Sequence, residues 1–302
     1  MSVMIPNNEL KYSRYAFDDE GYVIHMLTSN ERTFLTNAFI IETKNALVVV
    51  DTMMVNDDAL LLRQYIDNMN KPLIAVIITH GHPDHYNGTD TLITGFDEIP
   101  VISTRGVRNC IKNTFDAKKI KWQPYFGKNW PDNIILPNQL VEDAEVLCLD
   151  GLIYNFRALG AAESNSDLFF TLGENKSVVF VGDVVFNKMH SFMSDGNSGQ
   201  WLKVLQALLI ELADVKQLFT GHGEPGNTCQ LVQAQIEYLS YYRTNLLKMI
   251  SDKPLLSDTQ KQTFEQLMIG NYPHHQLTSF IQPGIEAVTQ ELILENSDYN
   301  KV

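Results

Sequence analysis

The segment THGHPDH at residues 79–85 directly follows the apolar run LIAVII, which has the length and composition of a buried strand. Three histidines and an aspartate therefore gather where a core strand ends. Histidine is the commonest metal ligand, and a carboxylate among imidazoles suits a divalent first-row ion. In extended chain His80 and His82 point to the same side and can share one ion, whereas Asp84 and His85 lie beyond the bend and can turn to a second. The segment thus predicts a metal centre at the end of a strand.

The composition excludes some classes of binding partner for a protein with such a metal centre. The chain has 302 residues, 44% of them hydrophobic, which is enough for a sizeable core. Its formal net charge of -13 argues against nucleic acid and against an anionic membrane surface, because both need clustered Lys and Arg. Cys110, Cys148 and Cys229 lie far apart without metal-type spacing, which is typical of a reducing compartment. Residues 1–9 lack the basic start and apolar stretch of a signal peptide, and no run reaches the length of a membrane span, so we expect a soluble cytoplasmic protein with a small-molecule substrate.

The sequence on either side of the metal segment predicts the strands and helices around it. Three β-type runs at residues 22–27, 33–42 and 46–51 are separated by turn residues and predict the antiparallel opening of a sheet. The apolar positions that follow Asn56 repeat at helical spacing and predict a helix before the metal-bearing strand. A further helix is predicted over residues 84–94, with its N-terminal amides pointing toward the site.

The segment at residues 118–131 interleaves lysines with aromatic residues, including Trp130, and is the one local reversal of the acidic charge balance. It follows a helix predicted over residues 107–115. Two interpretations stay open for it. Its cations and aromatic faces could line the substrate entrance, or it is a surface loop whose aromatic side chains simply pack.

Two strands in the second half of the chain end near further candidate ligands. Residues 168–172 and 177–181 are predicted to pair, which places Glu163 just before one strand and Asp183 just after the other. Both carboxylates can then reach the same edge of a second sheet. The loop that follows, residues 187–193, is predicted to overhang the metals.

The four motifs together resemble those of the metallo-β-lactamase fold hydrolases. Residues 80–85 match their H-x-H-x-D-H pattern, Asp183 matches the carboxylate that bridges two metals, and His222 matches the last ligand. Where the family usually has a third histidine ligand, in a segment like G-x-x-H-T-x-G-D, this chain has Glu163. Asp51 stands where the family has an acid that hydrogen-bonds a metal-bound histidine and fixes its orientation; the alternative is a turn or helix-capping aspartate.

The resemblance implies an α/β protein with the αββα sandwich of this family. It covers about residues 20–227, so we expect a metal-binding domain at residues 1–227 and a C-terminal helical extension at residues 228–302. The tyrosines of that extension are candidates for its core or for an interface between two copies of the chain, so a homodimer stays open as an alternative. His274 and His275 are expected in a surface loop.

The resemblance also implies how the ligands divide between two divalent metal ions. The first ion would be held by His80, His82 and Glu163, the second by Asp84, His85 and His222, with Asp183 bridging. Zn²⁺ is the expected metal, and Mn²⁺ or Fe²⁺ are alternatives because an added oxygen donor favours harder ions. Ser164 or Asp167 is the alternative ligand at this position, which would require a shifted alignment of residues 160–167 with the family's segment.

The implied reaction is hydrolysis by a hydroxide that bridges the two ions, on a small ester, thioester, lactone or sulfate ester. Asp84 is the candidate catalytic residue, since it could orient the attacking water or protonate the leaving group. Alkylsulfatases of this fold are similar in having a glutamate among the corresponding ligands. The alternative is a metal-bearing binding or regulatory protein in which Glu163 marks relaxed catalytic constraint.

Candidate residues for substrate binding lie near the predicted metal ligands. They are Tyr86, Trp130 and His190, the last of which is either a substrate contact or an exposed bystander. A hydroxyacylglutathione hydrolase would need basic residues for the glutathione carboxylates, and the extension shows no clear cluster of them.

Overall fold

Two β-sheets packed face to face, with helices on both outer faces, make up the architecture of the chain. The computed structural model describes residues 9–250 and 256–299. The predicted αββα sandwich with C-terminal helices is confirmed. Residues 1–8, part of the N-terminal stretch discussed above, lie outside the described residues.

The first sheet has seven strands in the order β1-β2-β3-β4-β5-β6-β7. The three pairs from β1 to β4 are antiparallel, and the three pairs from β4 to β7 are parallel. The strands are β1 (Lys11–Phe17), β2 (Tyr22–Thr28), β3 (Asn37–Glu42), β4 (Leu47–Val50), β5 (Leu73–Ile77), β6 (Val101–Thr104) and β7 (Gln139–Val141). Because β4 and β5 are parallel, Asp51 and the metal segment both emerge at the same edge of the sheet.

The second sheet has six strands and follows the first in the chain. In the order of the sheet they are β8 (Val146–Leu149), β9 (Leu152–Gly160), β10 (Asp167–Leu172), β11 (Val178–Phe180), β12 (Gln217–Phe219) and β13 (Gly226–Asn227). Side chains on β10 alternate between its two faces, as the two-residue period of a strand requires. Phe170 and Leu172 join the core between the sheets, whereas Phe169 joins the outer core with the C-terminal helices.

Helices cover the outer faces of both sheets. They are α1 (Asn56–Asn68), α2 (Pro83–Tyr86), α3 (Thr89–Ile93), α4 (Arg105–Phe126), α5 (Ser198–Glu211), α6 (Thr228–Ile250), α7 (Asp258–Asn271) and α8 (Ile281–Tyr299). The helices from α5 onward share one apolar core with the outer face of the second sheet. Within residues 9–250 and 256–299, no helix is both long and apolar enough to cross a bilayer.

Three predicted elements differ from the structure. The strand predicted from Thr33 begins only at Asn37, because Phe34 and Leu35 have left-handed backbone conformations with φ of 70° and 53°. The single helix predicted over residues 84–94 is the pair α2 and α3, separated at Gly88. At Gly88 the backbone passes so close to the main chain of Thr52 that a Cβ would lie 2.0 Å from its carbonyl oxygen.

The third difference is the basic and aromatic segment at residues 118–131, for which a surface loop is one of the two interpretations and which follows a helix predicted to end at Phe115. It is helical as far as Phe126, because α4 runs on through Pro124 rather than ending near Phe115. Pro124 has no N–H to donate to the carbonyl four residues earlier, and the helix ends two residues beyond it.

Candidate metal centre

The metal segment lies where the two sheets meet. His80 forms a β-bridge with Asp167, and the amide of Leu168 donates to the carbonyl of Thr79 at 3.1 Å, so the end of β5 is joined to the start of β10. His82 immediately precedes the short helix α2, with Pro83 at its first position. Because Pro83 has its φ preset for a helix, the chain turns there and brings Asp84 and His85 back toward the site.

The second sheet supplies three further side chains from its loops. Glu163 lies between β9 and β10, Asp183 follows β11, and His222 follows β12. A hydrogen bond of 2.7 Å from the amide of Gly221 to the carbonyl of Gly182 holds the last two loops together. The approach is close enough that a Cβ on Gly221 would lie 1.9 Å from Oδ1 of Asp183.

Four of the side chains form the first donor group. One ligand atom from each lies within 4.8 Å of the others, and the residues are His80, His82, Glu163 and Asp183. Oε2 of Glu163 lies 3.2 Å from Nδ1 of His82 and 3.7 Å from Nε2 of His80. Glu163 therefore belongs to the first donor group, beside the two histidines with which the sequence places it.

The remaining three side chains form a second donor group beside the first. It consists of Asp84, His85 and His222. Asp183 faces both groups, because its Oδ1 lies 3.3 Å from Nε2 of His85 while its Oδ2 lies 3.1 Å from Nε2 of His222 and 3.8 Å from Nε2 of His80. The structure thus brings together all of the predicted ligands.

Hydrogen bonds behind His85 and His222 aim one nitrogen of each of these two rings at the centre. Nδ1 of His85 lies 2.7 Å from Oδ2 of Asp51, which also accepts from Oγ1 of Thr79 at 2.8 Å. Nδ1 of His222 donates to the carbonyl of Phe34 at 2.8 Å. These partners leave the Nε2 atoms of both rings free to coordinate.

Several polar atoms at the centre are buried and have no hydrogen-bond partner among the residues that the structure describes. They are Nε2 of His80, His82, His85 and His222, both carboxylate oxygens of Glu163 and Oδ1 of Asp183. Buried polar groups are normally paired, and leaving one unpaired costs about 1–3 kcal/mol. Imidazole nitrogens and carboxylate oxygens at these separations are the donors that divalent first-row ions take, so the residues fit metal ions.

Burial and charge shift the pKa values of the carboxyl groups at the centre. Burial raises the pKa of Glu163 to about 8, since His82 offsets only part of the removal from water and the nearby carboxylates of Asp183 and Asp167 raise it further. Burial also raises the pKa of Asp183, but the nearby rings of His222 and His85 more than offset this and hold it well below the usual value. A cation between them would remove the penalty for ionising Glu163.

The predicted substrate-binding residues lie in the interior. Tyr86 is fully buried in the core between the sheets, and Trp130 is 1% exposed and packs with Met54 and Val55. His190 is fully buried with its Nδ1 3.0 Å from the hydroxyl of Tyr238, so the prediction of an exposed bystander is wrong. His190 packs against the C-terminal helices, a position that the sequence did not predict.

Several side chains that form the cavity over the donor groups were not predicted as site residues. The cavity is narrow, with a volume of about 30 Å³, and the part of the chain that the structure describes lines it with Phe34, Met54, His82, Pro83, Asp84, Lys118, Trp122, Asp183, Phe192, His222 and Phe280. Lys118 and Trp122 belong to the basic and aromatic segment at residues 118–131. They were therefore included in the interpretation of that segment as the lining of the substrate entrance. Asp195 was also missed, and its carboxylate lies 3.4 Å from Nε2 of His82.

The sequence of this chain is similar to those of enzymes with different activities. A sequence model described as the metallo-beta-lactamase superfamily matches residues 32–222. Alkyl/aryl-sulfatase BDS1 of Saccharomyces cerevisiae is 23% identical over 258 residues, which cover 73% of this chain and 39% of the yeast protein. A hydroxyacylglutathione hydrolase of Prochlorococcus marinus is 29% identical over 156 residues, 52% of each protein. The chain therefore spans about two fifths to one half of the length of these relatives.

Solved structures extend the likeness into the C-terminal helices. A double mutant of the sec-alkyl sulfatase PisA1 superposes with a TM-score of 0.66 at 17% identity, covering 93% of this chain and 50% of the sulfatase. That coverage is wider than the span of the family model, so most of the C-terminal helices have counterparts in that protein. At this identity the likeness shows the fold.

Proposed function

Because the chain belongs to the metallo-beta-lactamase superfamily, we propose that it is a dinuclear metal-dependent hydrolase of a small ester, thioester, lactone or sulfate ester. The observation that carries the proposal is the pair of donor groups with Asp183 facing both. The domain at residues 1–227 would carry this activity, and residues 228–302 would form the helical extension.

Each donor group would hold one ion. His80, His82 and Glu163 would hold the first, Asp84, His85 and His222 the second, and Asp183 would bind both. Zn²⁺ is the proposed metal, with Mn²⁺ and Fe²⁺ as alternatives. When bound, such ions lower the pKa of a water to near neutrality and polarise the ester oxygen.

Asp84 is the group of the chain that is best placed to orient an attacking water. It lines the cavity, and its Oδ2 accepts a hydrogen bond from Oγ1 of Thr36 at 2.8 Å, which fixes the carboxylate. Burial raises the pKa of Asp84, but the rings of His85 and His222 lower it well below its usual value. Asp84 therefore stays ionised and able to accept a hydrogen bond at neutral pH.

Sulfate esters are the first substrates to test. Relatives named as sulfatases match this chain in sequence, and Glu163 stands where most of the family has a histidine. Thioesters come second, because hydroxyacylglutathione hydrolases match as well. The burial of Glu163 between His80 and His82 supports a working ligand rather than a relaxed position.

The test is to measure metal content by elemental mass spectrometry together with turnover of nitrophenyl sulfate, carboxylate ester, thioester and lactone substrates. We expect about two ions per chain, and His222→Ala should lose about one of them and lower kcat/KM by more than about 100-fold. His274→Ala is the control, because His274 is an exposed histidine of the extension and should change neither quantity.

Two results would contradict the proposal. Unchanged turnover in His222→Ala would exclude a role for the second donor group. A wild-type protein that binds two ions and hydrolyses none of the four substrate classes would instead support the alternative of a metal-bearing binding protein.

A further inference from the structure

Four aromatic side chains form a continuous layer over the metal centre, which we call the aromatic roof. Its members are Phe34, Trp122, Phe192 and Phe280. The ring of Phe34 lies 5.3 Å from both Trp122 and Phe280, and Phe280 lies 5.1 Å from Phe192, all between ring centroids. These separations are typical of aromatic pairs in contact, so the four rings form one apolar surface.

The roof lies directly against the histidines of the centre. Phe192 meets the ring of His82 edge-on with centroids 5.5 Å apart, and Phe280 meets His222 in the same way at 5.9 Å. The cavity beneath has a volume of about 30 Å³, little more than one or two water molecules occupy. A substrate that reaches the metals therefore has to displace part of this layer and contact the rings.

Separate segments contribute the four rings. Phe34 precedes β3 in the left-handed turn, Trp122 lies on α4, and Phe192 lies in the loop between β11 and α5. Phe280 belongs to a short 3-10 helix at residues 278–280, just before α8 in the C-terminal extension. The extension thus contributes a side chain directly to the wall of the cavity.

The loop that carries Phe192 is anchored to the same extension. The amide of His190 donates to the carbonyl of Gln276 at 2.9 Å, and its ring packs against Tyr238 and His275 with centroids 5.8 and 5.5 Å apart. Phe192 and Phe280 are therefore held by one packed unit, and their relative position depends on the extension.

An aromatic wall beside a polar centre favours one kind of substrate. Contact with an apolar group removes about 25 cal/mol of unfavourable hydration for each Å² buried, whereas a small polar substrate gains nothing from the rings. We propose that the aromatic roof binds the apolar acyl or alkyl group next to the scissile bond, and that Phe280 limits the size of that group. This inference rests on the proposed hydrolase function.

The test replaces Phe280 with a smaller side chain and measures selectivity for acyl length. Phe280→Leu is compared with Phe264→Leu, a matched control in the same extension whose fully buried ring packs on Tyr242. The metal-loaded proteins are assayed with 4-nitrophenyl acetate and octanoate. We expect Phe280→Leu to raise the octanoate-to-acetate ratio of kcat/KM at least about fivefold, mainly through KM, and Phe264→Leu to leave it unchanged.

A binding measurement separates this inference from the proposed function. Acetate and octanoate are titrated into the cobalt(II)-loaded protein, and the visible absorption of the ion reports binding without turnover. We expect octanoate to bind more tightly than acetate, with the ratio of their Kd values shifted in Phe280→Leu but not in Phe264→Leu.

Each combination of results has one meaning. Tighter binding of octanoate, in a protein that hydrolyses none of the sulfate ester, carboxylate ester, thioester and lactone substrates, would support the roof and contradict the proposed function. Hydrolysis with equal affinity for the two acids, or with the same selectivity in Phe280→Leu and wild type, would overturn the role of the roof and leave the hydrolase intact.

Discussion

Asp51→Asn is the substitution that most directly tests how the centre is held. Asp51 follows β4 with φ of 59°, a left-handed conformation that both Asp and Asn tolerate, so the backbone should keep its shape. Its Oδ1 accepts from the amide of Thr79 at 2.9 Å, and its Oδ2 accepts from Oγ1 of Thr79 and from Nδ1 of His85. An asparagine side chain has a single oxygen, so either the amide of Thr79 or the pair of donors on Oδ2 loses its acceptor.

The expected cost has two parts. If the amide oxygen faces His85, the buried amide of Thr79 faces an NH₂ group and loses its partner, which costs about 1–3 kcal/mol of stability. A neutral amide also holds the tautomer of His85 less firmly than a carboxylate does. Changes of this kind lower metal affinity by about 10- to 100-fold, or about 1.4–2.7 kcal/mol.

Metal affinity is measured by competition with a chromophoric chelator, and stability by urea unfolding in the presence of EDTA. Asp150→Asn is the matched control, because Asp150 also has a positive φ, 46°, and also accepts from a threonine hydroxyl and a backbone amide, those of Thr43 and Asn45. It contacts no histidine among the described residues, so its metal affinity should not change. An Asp51→Asn protein that binds metal within twofold of wild type would refute the reasoning.

Two further predictions concern the surroundings of the centre. Burial lowers the pKa of His190 to about 4 from the usual 6.5. The contribution of neutral His190 to the free energy of unfolding should therefore be fully present above pH 6.5, and up to about 3 kcal/mol of it should be lost as the pH drops toward 4. His190→Gln should remove this part of the pH dependence of urea unfolding, and an unchanged slope would contradict the assignment. Gly221→Ala would place a Cβ 1.9 Å from Asp183 and should lower metal content, whereas Gly270→Ala, with open space around it, should not. Equal metal content in both alanine variants would show that the Asp183 loop adjusts freely.

The predictions from sequence that proved reliable rest on short-range rules. The apolar run before the metal segment is β5, and Asp183 and His222 each follow a buried strand as predicted. A strand that is buried on both faces leaves a clear signature, and the residue at its end is placed by the strand itself. The αββα architecture was implied by the family resemblance that the metal-ligand motifs carry.

The failures occurred where contacts distant in sequence decide the local structure. Phe34 and Leu35 look like strand residues, but the chain turns there so that the carbonyl of Phe34 accepts from His222, 188 residues further on. Similarly, nothing around Phe280 in the sequence marks it as a cavity residue. It reaches the site only because the C-terminal helices pack on the outer face of the second sheet.

The path of the chain between the sheets has a practical consequence. Within the described residues, the chain leaves the first sheet after β7 and enters the second at β8, and it does not return. A cut at residues 142–145 would leave His80, His82, Asp84 and His85 on one fragment and Glu163, Asp183 and His222 on the other. Neither fragment would keep a complete donor group, and each would expose the inner apolar face of its sheet. The apolar faces favour association without metal, and shared ions would add to it, so metal should tighten the reassembly of the two fragments and the split protein could report free metal concentration.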